Sequence, residues 1–310
     1  MGKSEAQIPF KYQKKGVNFV TETFTILDES CMKKVLILGG SSYVGRHLAE
    51  RLNKSQVIST YNKSKIPNGI KFDSRAMNIE DVVDLDEINC AITLLGDTDP
   101  DSCTDDIKKS EELNVESIKR IIDILSIKKI KVIFSSSEYV YDGDSSNYNE
   151  LDYSQPILLY GKQKLEVEHY IEKKIKDYAI LRFAKIYGTD SDDNTLFTSW
   201  LNKIIKGDDI VCADDQYFSP VHISNVVDSI VFSIDNEIHG TYNLAGPDRK
   251  SRIEFLDTLM KEVKSTTECD INIIPCSIDD FALNEKRPKD VSMDPSKLVN
   301  ATGIKLITVE

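Results

Sequence analysis

Val35-Leu36-Ile37-Leu38-Gly39-Gly40-Ser41-Ser42-Tyr43-Val44-Gly45 is the stretch on which the reading of the fold turns. The unbroken apolar run Val35–Leu38 fits a strand buried on both faces, and Tyr43–Leu52 reads as a helix. Between them stands a glycine turn. Such a turn lets backbone N–H groups and the positive end of a helix approach a pyrophosphate. It singles out Gly39, Ser41, Ser42, Tyr43, Val44 and Gly45 as candidate dinucleotide contacts. The spacing is G-x-x-S-x-x-G, with Ser42 in the middle position, rather than G-x-G-x-x-G. A structural turn capped by Ser41 or Ser42 would give the same letters.

Working outward, Val57–Thr60, Ala91–Leu95, Val132–Phe134 and Ala179–Arg182 read as further strands. Asp106–Leu125 and Tyr160–Ile175 read as helices, the first carrying Leu113, Ile118, Ile121, Ile122 and Leu125 at helical spacing. Regular alternation predicts a doubly wound, mainly parallel α/β sheet of the Rossmann kind, with helices on both faces. Such sheets bind ligands at the carboxyl ends of their strands. Beyond Gly188 the pattern loosens. Asp190–Asn194 reads as a polar loop, Leu196–Ile205 and Val221–Ile234 as helices, and Tyr242–Leu244, Ile253–Val263 and Ile271–Ile274 as strand, helix and strand. The expected division is a nucleotide-binding domain of residues 32–188 and 219–245, with an interleaved substrate lobe of 189–218 and 246–310. Met32-Lys33-Lys34 looks like a second beginning, which leaves 1–31 as an N-terminal extension with some strand-like alternation over Val17–Ile26. An appended segment, an upstream start and a genuine arm all stay open for it.

With 310 residues, 40% hydrophobic and 29% charged, the chain has the composition of an ordinary globular protein with a full core. A net charge of −12 argues against a nucleic-acid partner. Cys31, Cys90, Cys103, Cys212, Cys269 and Cys276 show no C-x-x-C spacing, so they imply neither a metal site nor a disulfide framework. No apolar run reaches membrane-spanning length, and the first residues lack a secretory pattern. The expectation is a cytoplasmic protein with no membrane association.

Tyr160-Gly161-Lys162-Gln163-Lys164 carries the chemistry. Tyr61/Lys65 and Tyr170/Lys174 share its spacing, but only the middle pair follows the serine-tipped strand Lys131–Ser137 and opens a long helix. Residues four apart share a helix face, so the ammonium of Lys164 should lie beside the phenol of Tyr160. A nearby cation lowers a phenol pKa from about 10, which would let the tyrosine exchange protons near neutral pH. The bland alternative is a solvated face of a lysine-rich helix. In the functional reading, Ser137 and Tyr160 polarise a carbonyl while a nicotinamide delivers hydride. Tyr160 donates the proton, and Lys164 tunes it and holds the nicotinamide ribose. Asn114, on the preceding helix, is either the anchor of a proton-relay water or a capped structural residue. The second strand ends in Thr60-Tyr61-Asn62-Lys63-Ser64-Lys65, with no acid where an NAD site usually has one. This leans toward NADP over NAD, with Arg46 as a further cation; a solvated lysine loop is the alternative. Asp73, after Phe72, is a candidate adenine contact.

These motifs are similar to those of the extended short-chain dehydrogenases/reductases, and within them the chain resembles the dTDP-4-dehydrorhamnose reductase branch. Ser136-Ser137-Glu138-Tyr139-Val140-Tyr141-Asp142-Gly143 resembles that branch's S-T-D-Y-V-F-D-G, and Pro156–Leu165 its P-L-N-x-Y-G-x-x-K-L. Asp215-Gln216 with Ser219-Pro220 resembles D-Q-x-G-x-P-T, and Arg287-Pro288 with Asp294–Leu298 the late R-P…L-D-x-x-K-L. The resemblance implies NAD(P)H-dependent reduction of a nucleotide-linked 4-keto-6-deoxy sugar. A nucleotide-sugar epimerase with retained NAD is a nearby variant. The regulatory β subunit of methionine adenosyltransferase shares the signatures, including an N-terminal arm of similar length. That likeness implies instead an NADP-binding partner of a methionine adenosyltransferase catalytic subunit. The chain departs from the pattern at Ser42, at Leu94-Leu95-Gly96-Asp97 in place of two alanines, and at Glu310, where the branch usually continues into a last helix.

Overall fold

The apolar run that opens the folded part becomes strand β1 (Lys34–Leu38), and its alternate side chains enter two different cores. Val35 and Ile37 join Val44, Leu48, Val226 and Ile230 on one face of the sheet. Leu36 and Leu38 join Ile118, Ile122, Val167 and Ile171 on the other. A strand has side-chain period two, so burial on both faces is what makes its sequence continuously apolar. The computed structural model describes residues 34–309 apart from 54–55, 191–192, 194, 237 and 267–270. The expected extension 1–31, with its alternation at Val17–Ile26, lies outside the described residues, as does part of the polar loop Asp190–Asn194.

After β1 come helix α1 (Tyr43–Arg51) and strands β2 (Val57–Tyr61), β3 (Ile70–Lys71) and β4 (Ile88–Thr93). Helices α2 (Pro100–Asp105), α3 (Ile107–Glu111) and α4 (Ser117–Ile127) lead to β5 (Lys131–Ser137). Helix α5 (Leu159–Lys174), β6 (Tyr178–Phe183), β7 (Ile186–Tyr187), α6 (Leu196–Lys206), β8 (Ile210–Ala213), β9 (Tyr217–Phe218) and β10 (Val221–His222) follow. The chain then forms α7 (Ile223–Asp235), β11 (Gly240–Leu244), β12 (Lys250–Ser251), α8 (Arg252–Thr266), β13 (Ile273–Cys276) and α9 (Ser296–Thr302). Among the described residues seven strands make one sheet in the order β11-β6-β5-β4-β1-β2-β3. Every neighbouring pair in it is parallel, as the alternation of strands and helices predicts. The chain runs outward from β1 through β2 to β3, then returns to β4 and continues the other way. The carboxyl ends of β1 and β4 therefore flank the crevice where such sheets take ligands.

The strands expected over Ala91–Leu95 and Ile271–Ile274 run over Ile88–Thr93 and Ile273–Cys276, and two expected helices differ in detail. The helix over Asp106–Leu125 is interrupted by a π-helical turn, Glu112–Glu116, between α3 and α4. The helix expected from Val221 starts at Ile223 instead, because Val221 and His222 pair with Ile186 and Tyr187. His222 then caps α7 by accepting from the N–H of Ser224 at 3.2 Å. A third core, with Phe197, Trp200, Ile204, Phe255, Leu256 and Met260, joins α6 and α8 beyond the sheet. Lys33–Glu310 forms one compact unit. Among the described residues no helix is long and apolar enough to cross a membrane.

Candidate active site

At the glycine turn, backbone approach decides which residues are possible. Gly39 has φ +93°, and a Cβ there would lie 2.8 Å from the Leu94 carbonyl oxygen. A Cβ on Gly45 would lie 2.5 Å from the Gly39 carbonyl oxygen. The N–H of Gly40 donates to the Thr60 carbonyl at 2.8 Å, tying the turn to β2. Ser42 is the N-cap of α1, its Oγ accepting from the N–H of Gly45 at 3.1 Å. The N–H groups of Tyr43 and Val44, at the first positions of α1, have no intrahelical acceptor. The Tyr43 side chain turns the other way. Its Oη donates to Asp193 at 3.3 Å and fills the space that a Cβ on Gly188 would need. Ser41 is half-buried on the turn.

At the end of β2, Tyr61 is half-buried and lies beneath the ammonium of Lys71, 5.7 Å from the ring centroid. Asn62 takes hydrogen bonds from the same ammonium on its carbonyl and, at 3.2 Å, on its Oδ1. Lys63 and Lys65 are exposed. Asp73 accepts from the N–H of Arg75 at 3.1 Å. Burial pushes its carboxyl up, but the hydrogen bonds from Arg75 and Asn62 bring it below the usual carboxylate range.

Ser137, Tyr160 and Lys164 meet at the carboxyl end of β5. Ser137 ends that strand and caps a 3₁₀ turn, its Oγ accepting from the N–H of Tyr139 at 3.2 Å. Helix α5 begins without a side-chain cap of its own. Both carboxylate oxygens of Glu285 accept from the N–H of Leu159 at 3.1 Å instead, which fixes the helix start. A Cβ on Gly161 would lie 2.0 Å from the Tyr139 carbonyl oxygen, so only glycine lets α5 press against the chain just past Ser137. That approach brings the Tyr160 side chain beside Ser137. Lys164 donates to the Ser135 carbonyl at 2.8 Å and lies 5.7 Å from the Tyr160 ring centroid. Both side chains are buried.

Burial corrects one expectation. It pushes the Tyr160 phenol well above its ordinary value, with the Ser137 hydrogen bond opposing and the charges of Cys103, Tyr139 and Glu138 adding to the rise. Lys164 is itself pulled down to about 8 by burial, against the favourable charge of Glu168. Desolvation is thus the largest influence on the phenol. Near neutral pH the tyrosine keeps its proton, and most of the lysine keeps its charge.

Asn114 is held by groups of the protein at its side chain. It stands in the π-helical turn, where its Oδ1 accepts from the N–H of Asp97 at 2.7 Å. Its Nδ2 donates to the Asp97 carbonyl at 3.0 Å and to Gln163 Oε1 at 2.8 Å. Its side chain clamps the exit of β4 to α5.

The sequence assigned no role to three groups beside the site. Glu285 caps α5, and Arg287 pairs with Asp101 of α2 at 2.8 Å, so one late segment ties down two helices beside the site. Glu138, next to Ser137, is buried with its Oε2 accepting from the N–H of Lys185 at 3.2 Å. Burial pushes its carboxyl up to about 7. Behind Lys164, Glu168 and Arg182 form a buried ion pair at 2.6 Å that Ser136 and Tyr141 extend by hydrogen bonds. Among the described residues, the acidic cluster Glu111, Glu116 and Glu166 already holds a cation, the Lys119 ammonium, on Glu116 and Glu166.

A parallel sheet of this order, a glycine turn at its switch point and a Tyr–Lys helix against a serine-tipped strand define a protein of the extended short-chain dehydrogenase/reductase type. The chain belongs to the RmlD substrate binding domain family, whose model matches residues 32–310. It is 26% identical over 242 residues to a protein of Haloferax volcanii named as a probable low-salt glycan biosynthesis reductase, covering 76% of this chain and 78% of that one. It is 23% identical over 299 residues to the methionine adenosyltransferase 2 subunit beta of Rattus norvegicus, covering 91% and 87%. Among solved structures it is similar to a hypothetical dTDP-4-dehydrorhamnose reductase from Sulfolobus tokodaii. The TM-score is 0.78 and the identity 25%, covering 89% of this chain and 97% of that one.

Proposed function

We propose that this chain is an NAD(P)H-dependent reductase of a nucleotide-linked 4-keto-6-deoxy sugar, with NADPH the preferred cofactor. One observation carries the reading: a buried Tyr160–Lys164 pair held against Ser137 at the carboxyl edge of a parallel sheet. Family membership and the similarity to reductases along most of the chain support it. The residues of the turn fit a dinucleotide, because Gly39 and Gly45 keep the backbone bare and the first N–H groups of α1 suit a pyrophosphate. When bound, the nicotinamide supplies hydride. Ser137 and Tyr160 hydrogen-bond the substrate carbonyl and stabilise the negative charge that develops on its oxygen. The buried phenol, protonated at neutral pH, then delivers its proton to that oxygen. The Lys164 ammonium stabilises the resulting phenolate and can reach ribose hydroxyls. The lobe of 189–218 and 246–310 covers the substrate, a division supported by its separate core. A cytoplasmic location is consistent with Cys90, Cys103, Cys212 and Cys276 being free thiols.

The test is turnover. Purified protein given the keto sugar should consume NADPH, and Tyr160→Phe should slow it by ~10²–10⁴-fold. Equal rates would refute the mechanism, and interconversion of sugars without added reductant would mark an epimerase.

A second reading is favoured by similarity to a methionine adenosyltransferase β subunit along 91% of the chain. In it the protein binds NADP and regulates a synthetase subunit. Co-purification of that subunit with the full chain, lost on deletion of residues 1–31, would support it. Keto-sugar turnover without a partner would oppose it.

A further inference from the structure

We infer that Lys71, on the two-residue strand β3, is the cation that selects the 2′-phosphate of NADP(H) over the 2′-hydroxyl of NAD(H). This rests on the dinucleotide reading above and deepens it. Lys71 is the register partner of Tyr61, the last residue of β2, so it stands at the carboxyl edge where a parallel sheet of this order receives an adenine ribose. Its ammonium is held by neutral groups: the Tyr61 ring at 5.7 Å, the Asn62 carbonyl, and Asn62 Oδ1 at 3.2 Å. A ring face and two amide oxygens fix an ammonium without cancelling its charge. Two of its three protons are engaged, which leaves one donor for a phosphate oxygen.

The other charges on this edge are differently placed. Arg75 is paired with Asp73 at 3.4 Å, and Asn62 also bonds Asp73, so that carboxylate is answered locally. No carboxylate among the described residues pairs with Lys71. Lys63 and Lys65 are exposed on the loop after β2, and each would have to surrender side-chain freedom to reach a ligand. That loop turns back so that Ile66 packs by Gly40, leaving a cavity of about 350 Å³ beside Ser59 and Arg46. Arg46 is therefore the rival cation.

The probe is 2′,5′-ADP against 5′-AMP, with NADPH against NADH alongside, titrated calorimetrically on the full chain without substrate. A charge-assisted hydrogen bond from Lys71 predicts tighter binding of the 2′-phosphorylated ligand by about ten-fold or more in the unaltered protein at low salt. Lys71→Gln should reduce that preference to about two-fold or less while leaving 5′-AMP and NADH affinity unchanged. Lys71→Arg should retain most of it, and a retained melting temperature in both variants would show that they fold. Preference kept in Lys71→Gln, or lost instead in Arg46→Ala or Lys63→Ala, overturns the inference while the dinucleotide reading stands. Equal affinity for NADPH and NADH in the unaltered protein does the same. Binding of neither dinucleotide would overturn both.

Discussion

Replacing Glu168 by glutamine tests whether the buried ion pair behind Lys164 holds the site together. Glu168 and Arg182 are 1% and 7% exposed at the side chain and meet at 2.6 Å. Ser136 also donates to Glu168, and Tyr141 accepts from Arg182 at 2.8 Å. Glutamine keeps the shape and some of the hydrogen bonds but leaves the guanidinium buried with no opposite charge. Breaking a buried pair by removing one partner typically costs about 3–5 kcal/mol. At roughly 2–4 °C per kcal/mol for a chain somewhat smaller than this one, the melting temperature should fall by about 6–20 °C. Scanning calorimetry measures it. A double replacement, Glu168→Leu with Arg182→Leu, should recover part of the loss, because no charge is then stranded. A second readout follows from the helix: Glu168 is four residues past Lys164, and its charge favours the ammonium. In Glu168→Gln the Lys164 pKa should fall further below about 8, shifting the pH dependence of NADPH binding toward acid. A stability change under about 1 kcal/mol together with an unmoved pH profile would show that the pair does not hold the site.

Three further outcomes are expected. Glu138 has a folded pKa of about 7 against an ordinary 4.5, so the folded state holds its proton longer than the unfolded chain does. Its stabilising effect is full below about pH 4.5 and is lost as pH rises through 7. Denaturant titrations should show that decline in the wild type and a flatter curve in Glu138→Gln; parallel curves would show that Glu138 titrates normally. Because Lys164 is pulled down to about 8, its ammonium is present below that pH and lost above it. NADPH affinity should then weaken as pH rises past 8, in a step that Lys164→Ala abolishes. Gly161→Ala would put a Cβ 2.0 Å from the Tyr139 carbonyl oxygen, forcing α5 away from Ser137. Reductase turnover should drop by at least ten-fold, by analogy with the effect of small misplacements in other sites, and wild-type turnover would show that the helix contact does not position Tyr160.

What depends on local periodicity was legible in the order of residues alone. Continuous apolar runs such as Val35–Leu38 announced strands buried on both faces, and their alternation with helices predicted a parallel sheet. The Tyr160–Lys164 spacing needed only the pitch of a helix, and the glycine turn only the absence of side chains at Gly39 and Gly45. Tertiary structure decided what depends on who packs against whom. Ser137 and Tyr160 are distant in sequence, and they meet because Gly161 admits the Tyr139 backbone while Glu285, from the far end of the chain, caps α5. Asn114 became a clamp once Asp97 and Gln163 surrounded it, and Lys71 met Tyr61 only through the register of two short strands. The proton affinities of Tyr160 and Lys164 moved opposite ways for the same reason. Removing water disfavours whichever form is charged, and how much water is removed is a property of the packed interior rather than of any stretch of sequence.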